Sequence, residues 1–192
     1  MQKKYRVVAI IALMFIITGI GFFLYPHISN YLYEKNVQKE EQIFIATISS
    51  PECKDDFDKL YEKLKSENEQ LFFNKQNGLV DPFSYEQPSI NLDEYGIYNN
   101  TIGYIKIPKM DVELPIILGA NKENMAKGAV HLTQTSYPIG GINTNCVLAA
   151  HRGYAKAAFF RDIEKLDYGD KIYIQNLYIV MKIYLQKRLN LI

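Results

Sequence analysis

The sequence predicts a mainly β domain with short helices, preceded by a membrane-crossing helix and an amphipathic helix. Three observations carry that expectation. From Val7 to Tyr25 no charged side chain interrupts the run VVAIIALMFIITGIGFFLY. Phe57, Leu60, Tyr61 and Leu64 recur at i, i+3, i+4, i+7, the spacing of one helix face. From Ile97 onward the pattern changes to short runs rich in β-branched and aromatic residues, separated by turn formers.

The first run is long enough, at ~1.5 Å per residue, to cross a hydrocarbon layer of ~30 Å. Lys3, Lys4 and Arg6 stand before it. Residues 1–6 thus read as a cytoplasmic basic end and 7–25 as a single span, with the rest of the chain, from Pro26, outside the cell. A cleaved signal peptide is the alternative, but it would end in small residues, whereas this run leads into Pro26-His27-Ile28-Ser29. The expected location is the cell membrane, single-pass, with the bulk of the chain extracellular. At 192 residues, with 22 Lys+Arg against 21 Asp+Glu, there is room for one ordinary domain plus this appendage. A formal charge of +1 gives no global basic field, so nucleic acid is not an expected partner.

Residues 26–78 read as a helical stalk that lifts the domain off the membrane. Ser49-Ser50-Pro51-Glu52 offers a helix start, and Asn77-Gly78 a stop. Residues 79–95, with Asp81-Pro82 and Gln87-Pro88, keep neither period and read as a long, lid-like loop. In 96–176 the expected strands are Ile102 to Ile107, Val112 to Leu118, Asn145 to Ala150 and Lys171 to Gln175. Pro108 to Asp111 turns between the first two. Short helices are expected over Asn121 to Lys127 and Ala155 to Leu166. Mostly strands with a few helices implies a β-barrel-like core. Residues 177–192 form a separate tail.

The sharpest local feature is Ala149-Ala150-His151-Arg152-Gly153-Tyr154, a histidine just past a strand end with a glycine that permits a tight turn. An imidazole held there can shuttle protons near neutral pH. His131 lies upstream, but no Asp, Glu or Cys stands at ligand spacing beside either histidine, so neither a metal nor any other cofactor is expected. Cys53 lies in a polar helical stretch, and Cys146 opens an apolar run where a small buried hydrophobe is the better reading. Whether the two pair is open at this stage.

Taken together, Ile102-Gly103-Tyr104-Ile105-Lys106-Ile107-Pro108, Gly128-Ala129-Val130-His131, Tyr137-Pro138-Ile139-Gly140-Gly141, Ala150-His151-Arg152-Gly153 and Phe159-Phe160-Arg161-Asp162 resemble, in order and spacing, the sortases of Gram-positive bacteria. These are membrane-anchored cysteine transpeptidases, and the pattern is most similar to the pilus-building class C group. The resemblance implies an incomplete sortase-like β-barrel. It implies that His151 is the catalytic histidine, that His131 has a structural or supporting role, and that Asp81 and Phe83 sit on a lid over the cleft. It also implies substrates of the Leu-Pro-x-Thr-Gly (LPxTG) type on pilins or surface proteins, cleaved at Thr-Gly and passed to an amine through a thioester. Oligomeric state is not implied either way.

The likeness departs where such proteins carry their nucleophile, in a strand reading like Thr-Leu-x-Thr-Cys, and a later arginine. Neither segment is present after Asn176. Cys146 and His151 would sit at opposite ends of one strand, roughly 16 Å apart at ~3.3 Å per residue, too far for a thiolate-imidazole pair. Arg152 and Arg188 match no catalytic position. The expectation is a truncated sortase-like chain, inactive alone. A membrane-anchored binding module without catalysis, or the product of a disrupted gene, is the competing expectation.

Overall fold

The computed structural model of the chain describes residues 2–74, 86–88, 90–97, 99–153, 157–177 and 180–184. The first element, α1, runs Gln2–Ile48 without interruption through Pro26. Proline has no N–H, so Phe22 lacks its ordinary i+4 donor, a loss tolerated where water or neighbours serve the freed carbonyl. Among the described residues α1 alone is long and apolar enough to cross a membrane, by length and composition a span or a signal sequence. Its apolar half is bare of protein contacts, with Phe15, Phe22 and Phe23 all exposed.

The second half of α1 lies on the domain. Val37 is 2% exposed, Tyr33 Oη donates to Lys127 O at 2.7 Å, and Phe44 meets Tyr104 edge-to-face at 5.4 Å. After the turn Pro51–Cys53 comes α2, Lys54–Phe73. Phe57, Leu60 and Leu64, the helical stripe expected from spacing, are buried in the main core with Ile102, Leu114 and Ile116. The helix is therefore part of the domain wall and not a spacer held clear of it, because its apolar face has no other cover. Asn68 continues the same stripe, is 3% exposed, and holds residue 137 at both ends: Tyr137 N donates to Asn68 Oδ1 at 2.7 Å, and Asn68 Nδ2 to Tyr137 O at 3.4 Å.

Six strands follow: β1 Thr101–Ile107, β2 Val112–Leu118, β3 Ala129–His131, β4 Leu148–Ala149, β5 Lys171–Asn176 and β6 Val180–Tyr184. They form one open sheet in the order β4-β3-β2-β1-β5-β6. Among the described strands only β2 and β3 are parallel, with Ile117 opposite Val130, and the crossover between them carries the short helix α3, Lys122–Met125. Antiparallel β1 and β2 turn over Pro108–Met110, where Asp111 takes a φ of +51°. The sheet is the incomplete barrel that the resemblance implies, left unclosed at β4 and β6 among the described strands.

Two expected elements differ. Instead of a strand over Asn145 to Ala150, only Leu148 and Ala149 pair, because Asn145 N and Val147 N donate to the side chains of Ser136 (3.0 Å) and Thr135 (3.1 Å). In place of a helix over Ala155 to Leu166, the described part makes turns and one short 3-10 turn, Ile163–Lys165. Phe159 has a φ of +44° and Phe160 N bonds back to His151 O, both incompatible with a helix there. Of the loop 79–95, the described end is fastened down, with Ile90 and Leu92 in the core.

Where α1 lies on β2, Glu41 faces Glu113, whose other partner is Lys106 Nζ at 3.1 Å. Burial first, then the hydrogen bond and charge of Glu113, raise the Glu41 carboxyl to about 7, against the pull of Lys106. Its proton is the donor between the two carboxyls. Because the folded value lies above the ordinary 4.5, this contact contributes fully below about pH 4.5 and fades as pH rises through about 7. Raising pH from 5 to 8 is expected to lower the melting temperature of the full chain through this contact, and Glu41→Gln to remove that component. An E41Q chain with an unaltered alkaline decline would show that the carboxyl pair is not its source.

Candidate active site

His151 sits on the turn that leaves β4. The strand itself is fixed by antiparallel pairing to β3, Ala149 opposite Val130 and Leu148 opposite His131. Beyond it the chain folds back, so that Phe160 N donates to His151 O at 3.0 Å and the Phe159 ring stands edge-to-face with the imidazole at 6.4 Å. Gly153 has a φ of +92°, and a Cβ there would lie 3.0 Å from Arg161 Nε. Only glycine meets both conditions at low cost. The result is a half-buried histidine at the rim of the sheet, with its main-chain carbonyl bonded by Phe160 N and its ring edge-to-face with Phe159.

The neighbouring candidates are placed differently. His131, one strand inward, is 1% exposed and stacks on Tyr137 with ring centres 5.1 Å apart. Its Nε2 lies 3.0 Å from Ser136 O and 3.2 Å from Thr135 O, so that nitrogen carries the hydrogen and donates to carbonyls. Burial, opposed by those two hydrogen bonds, depresses it to about 4, and the ring is neutral at physiological pH. Arg152 is ion-paired with Glu164. Asp81 and Phe83, expected on a lid, lie outside the described residues.

Both cysteines are free thiols and half-buried. Burial pushes the Cys146 thiol up to about 12. A nucleophilic cysteine needs the opposite, a setting that favours thiolate. A hollow of about 450 Å³ lies between the end of α2 and the loop 139–144, against Tyr61, Phe72, Ile139 and Ile142. His151 is not among its lining residues. The sequence patterns singled out His151 and His131 but passed over Asn68 and Asn176, whose amide donates to Pro138 O at 2.9 Å. Asn68 had a legible signal: a polar residue four positions after Leu64 on the apolar stripe of α2.

Comparison with known proteins adds to this geometry. The family model for the sortase domain matches residues 105–188. That range runs past Asn176 and takes in β6, where the sequence carried no visible motif. Sortase A of Bacillus anthracis is 25% identical over 173 residues, 90% of this chain and 71% of the relative. A crystal structure of Streptococcus agalactiae sortase C1 superposes with a TM-score of 0.62 at 30% identity, covering 70% of this chain and 69% of that one. Sortase C-1 of Streptococcus pneumoniae gives a TM-score of 0.65 at 28% identity, covering 78% of this chain and 76% of that one.

Proposed function

The chain belongs to the sortase family, and on that premise we propose that it carries the histidine side of a membrane-anchored cysteine transpeptidase acting on LPxTG-type signals of pilins or surface proteins. The observation that carries the reading is the placement of His151: a half-buried imidazole at the rim of a sortase-like half-barrel, with the other histidine of the sheet, His131, buried, neutral and donating from Nε2 to carbonyls. In the reaction a thiolate attacks the threonine carbonyl, the sulfur-carbon bond forms, and the carbon-nitrogen bond to glycine breaks. The leaving amine takes a proton, which His151 would deliver. An incoming amine then displaces the thiolate and completes the transfer.

The nucleophile is not Cys146, because a thiol held near 12 is protonated at neutral pH. Nor does Arg152 serve as the oxyanion partner, since its charge is taken by Glu164. On this reading the chain supplies proton transfer through His151, and Cys146 does not supply the thiolate. The helix α1 anchors the chain, with Lys3, Lys4 and Arg6 on the cytoplasmic side and the sheet outside.

The experiment is complementation. Incubated with a labelled LPxTG peptide and an amine acceptor, the chain itself is expected to form no thioester on Cys53 or Cys146 by intact mass. Extended with the C-terminal segment of S. agalactiae sortase C1, chosen to provide the cysteine and arginine that the family resemblance calls for, it is expected to transfer the peptide. His151→Ala in that chimera should cost roughly 10²- to 10⁴-fold in rate, the range for loss of a general acid-base group. Transfer undiminished by H151A would overturn the assignment, and an acyl adduct on Cys146 would overturn the division of labour.

A further inference from the structure

The anchor helix and the site histidine are joined by a short run of contacts. On α1, Asn30 Oδ1 accepts from Ala158 N at 3.0 Å, and the Tyr33 ring meets Phe159 edge-to-face at 5.5 Å. Tyr33 is itself pinned through its hydroxyl to Lys127 O. Phe159 is 1% exposed and meets the His151 ring at its other side, 6.4 Å away, while the next residue, Phe160, bonds to His151 O. Phe159 also holds a φ of +44°. For a residue with a bulky side chain that conformation is strained and persists only where the surroundings enforce it. The enforcing elements are α1 on one side and the His151 turn on the other.

From these contacts we infer that the anchor helix sets the orientation of His151, with Asn30 and Tyr33 acting through Phe159 as positioning residues. The inference rests on the reading of His151 as the proton carrier and adds what aims it. Because α1 is continuous, Tyr33 stands about 12 Å along the axis from Tyr25 at the end of the apolar run, at ~1.5 Å per residue. The helix that fixes the domain to the bilayer is thereby the helix that fixes the imidazole, and a change in the seating of α1 is felt at the site without any movement of the sheet core.

The test is the ring resonance of His151 in the full chain, histidine-labelled and held in detergent micelles. The three histidines, His27, His131 and His151, report separately on anchor, core and site. Tyr33→Leu is expected to shift the His151 signal by more than its linewidth and broaden it, leaving His131 in place. Tyr33→Phe, which keeps the ring edge, is expected to restore it. An unmoved His151 signal in Y33L, or no rescue by Y33F, overturns the inference. Should Y33L lose the His131 signal through unfolding, Asn30→Ala decides: a shifted His151 with His131 intact supports positioning, and an unshifted one refutes it. These spectra contain no substrate, so they stand or fall independently of the peptide-transfer result.

Discussion

Gly103→Ala is expected to be the most damaging single-methyl change in the sheet, at about 3 kcal/mol or more, the upper end for overpacked sites. A Cβ at this position would lie 2.3 Å from Gln175 O and 3.1 Å from Asn176 Cα. Both are backbone atoms of β5, so no side chain can swing away to make room. Gly103 pairs with Asn176 on one side and Ile116 on the other, and the register with β2 already shifts between Thr101 and Gly103. Relief would require β1 and β5 to part, and with them the buried Asn176 amide that holds Pro138 O. For a chain of this length the expected fall in melting temperature is about 6–12 °C. Gly21→Ala is the control: nothing lies within 4 Å of its added carbon, and the melt should not fall. A G103A protein that melts within a degree of the parent would mean that the β1-β5 seam is looser than its geometry states.

Gly103 also shows what was legible in the sequence and what was not. Local patterns carry local information. The strands β1 and β2 follow from short β-branched and aromatic runs between turn formers, and the buried face of α2 from helical spacing, and the structure has the two strands at nearly the expected bounds. Why position 103 must be glycine is a different kind of fact, set by Gln175 some seventy positions later, and no period reveals it. The same holds for the expected helix over Ala155 to Leu166. Its composition favours helix, but the bond from Phe160 N to His151 O and the contacts of α1 on Phe159 take the backbone elsewhere. β6 lay hidden because a short apolar run such as Val180 to Tyr184 fits helix and strand equally by periodicity. At the site, the turn after β4 made His151 conspicuous, while its supports Asn30 and Tyr33 lay in what read only as stalk.

Acidification is expected to destabilise the domain through His131. The unfolded ring titrates near 6.5 and the folded one near 4, so the folded state binds the proton more weakly. The contribution of this histidine is fully present above pH 6.5, declines as pH falls, and is exhausted at about pH 4, where both states are protonated. A difference of that size corresponds to about 3 kcal/mol, at ~1.4 kcal/mol per unit. Glu41 acts in the opposite sense over an overlapping range, its contact strengthening as pH falls. It is the more exposed of the two groups, and solvent screening weakens its share, so His131 decides the sign of the net acid response. Measured in an E41Q background, denaturant unfolding between pH 7 and 4 should show the His131 slope free of the opposing Glu41 contribution, and His131→Gln, which keeps an N–H to offer Ser136 O, should reduce it. An equally steep acid loss in the H131Q chain would place its origin elsewhere. The consequence reaches the site. Because His131 remains neutral with its Nε2 hydrogen committed to carbonyls, it has no proton to give at the pH where the domain is stable, which supports the proposed assignment of proton transfer to His151.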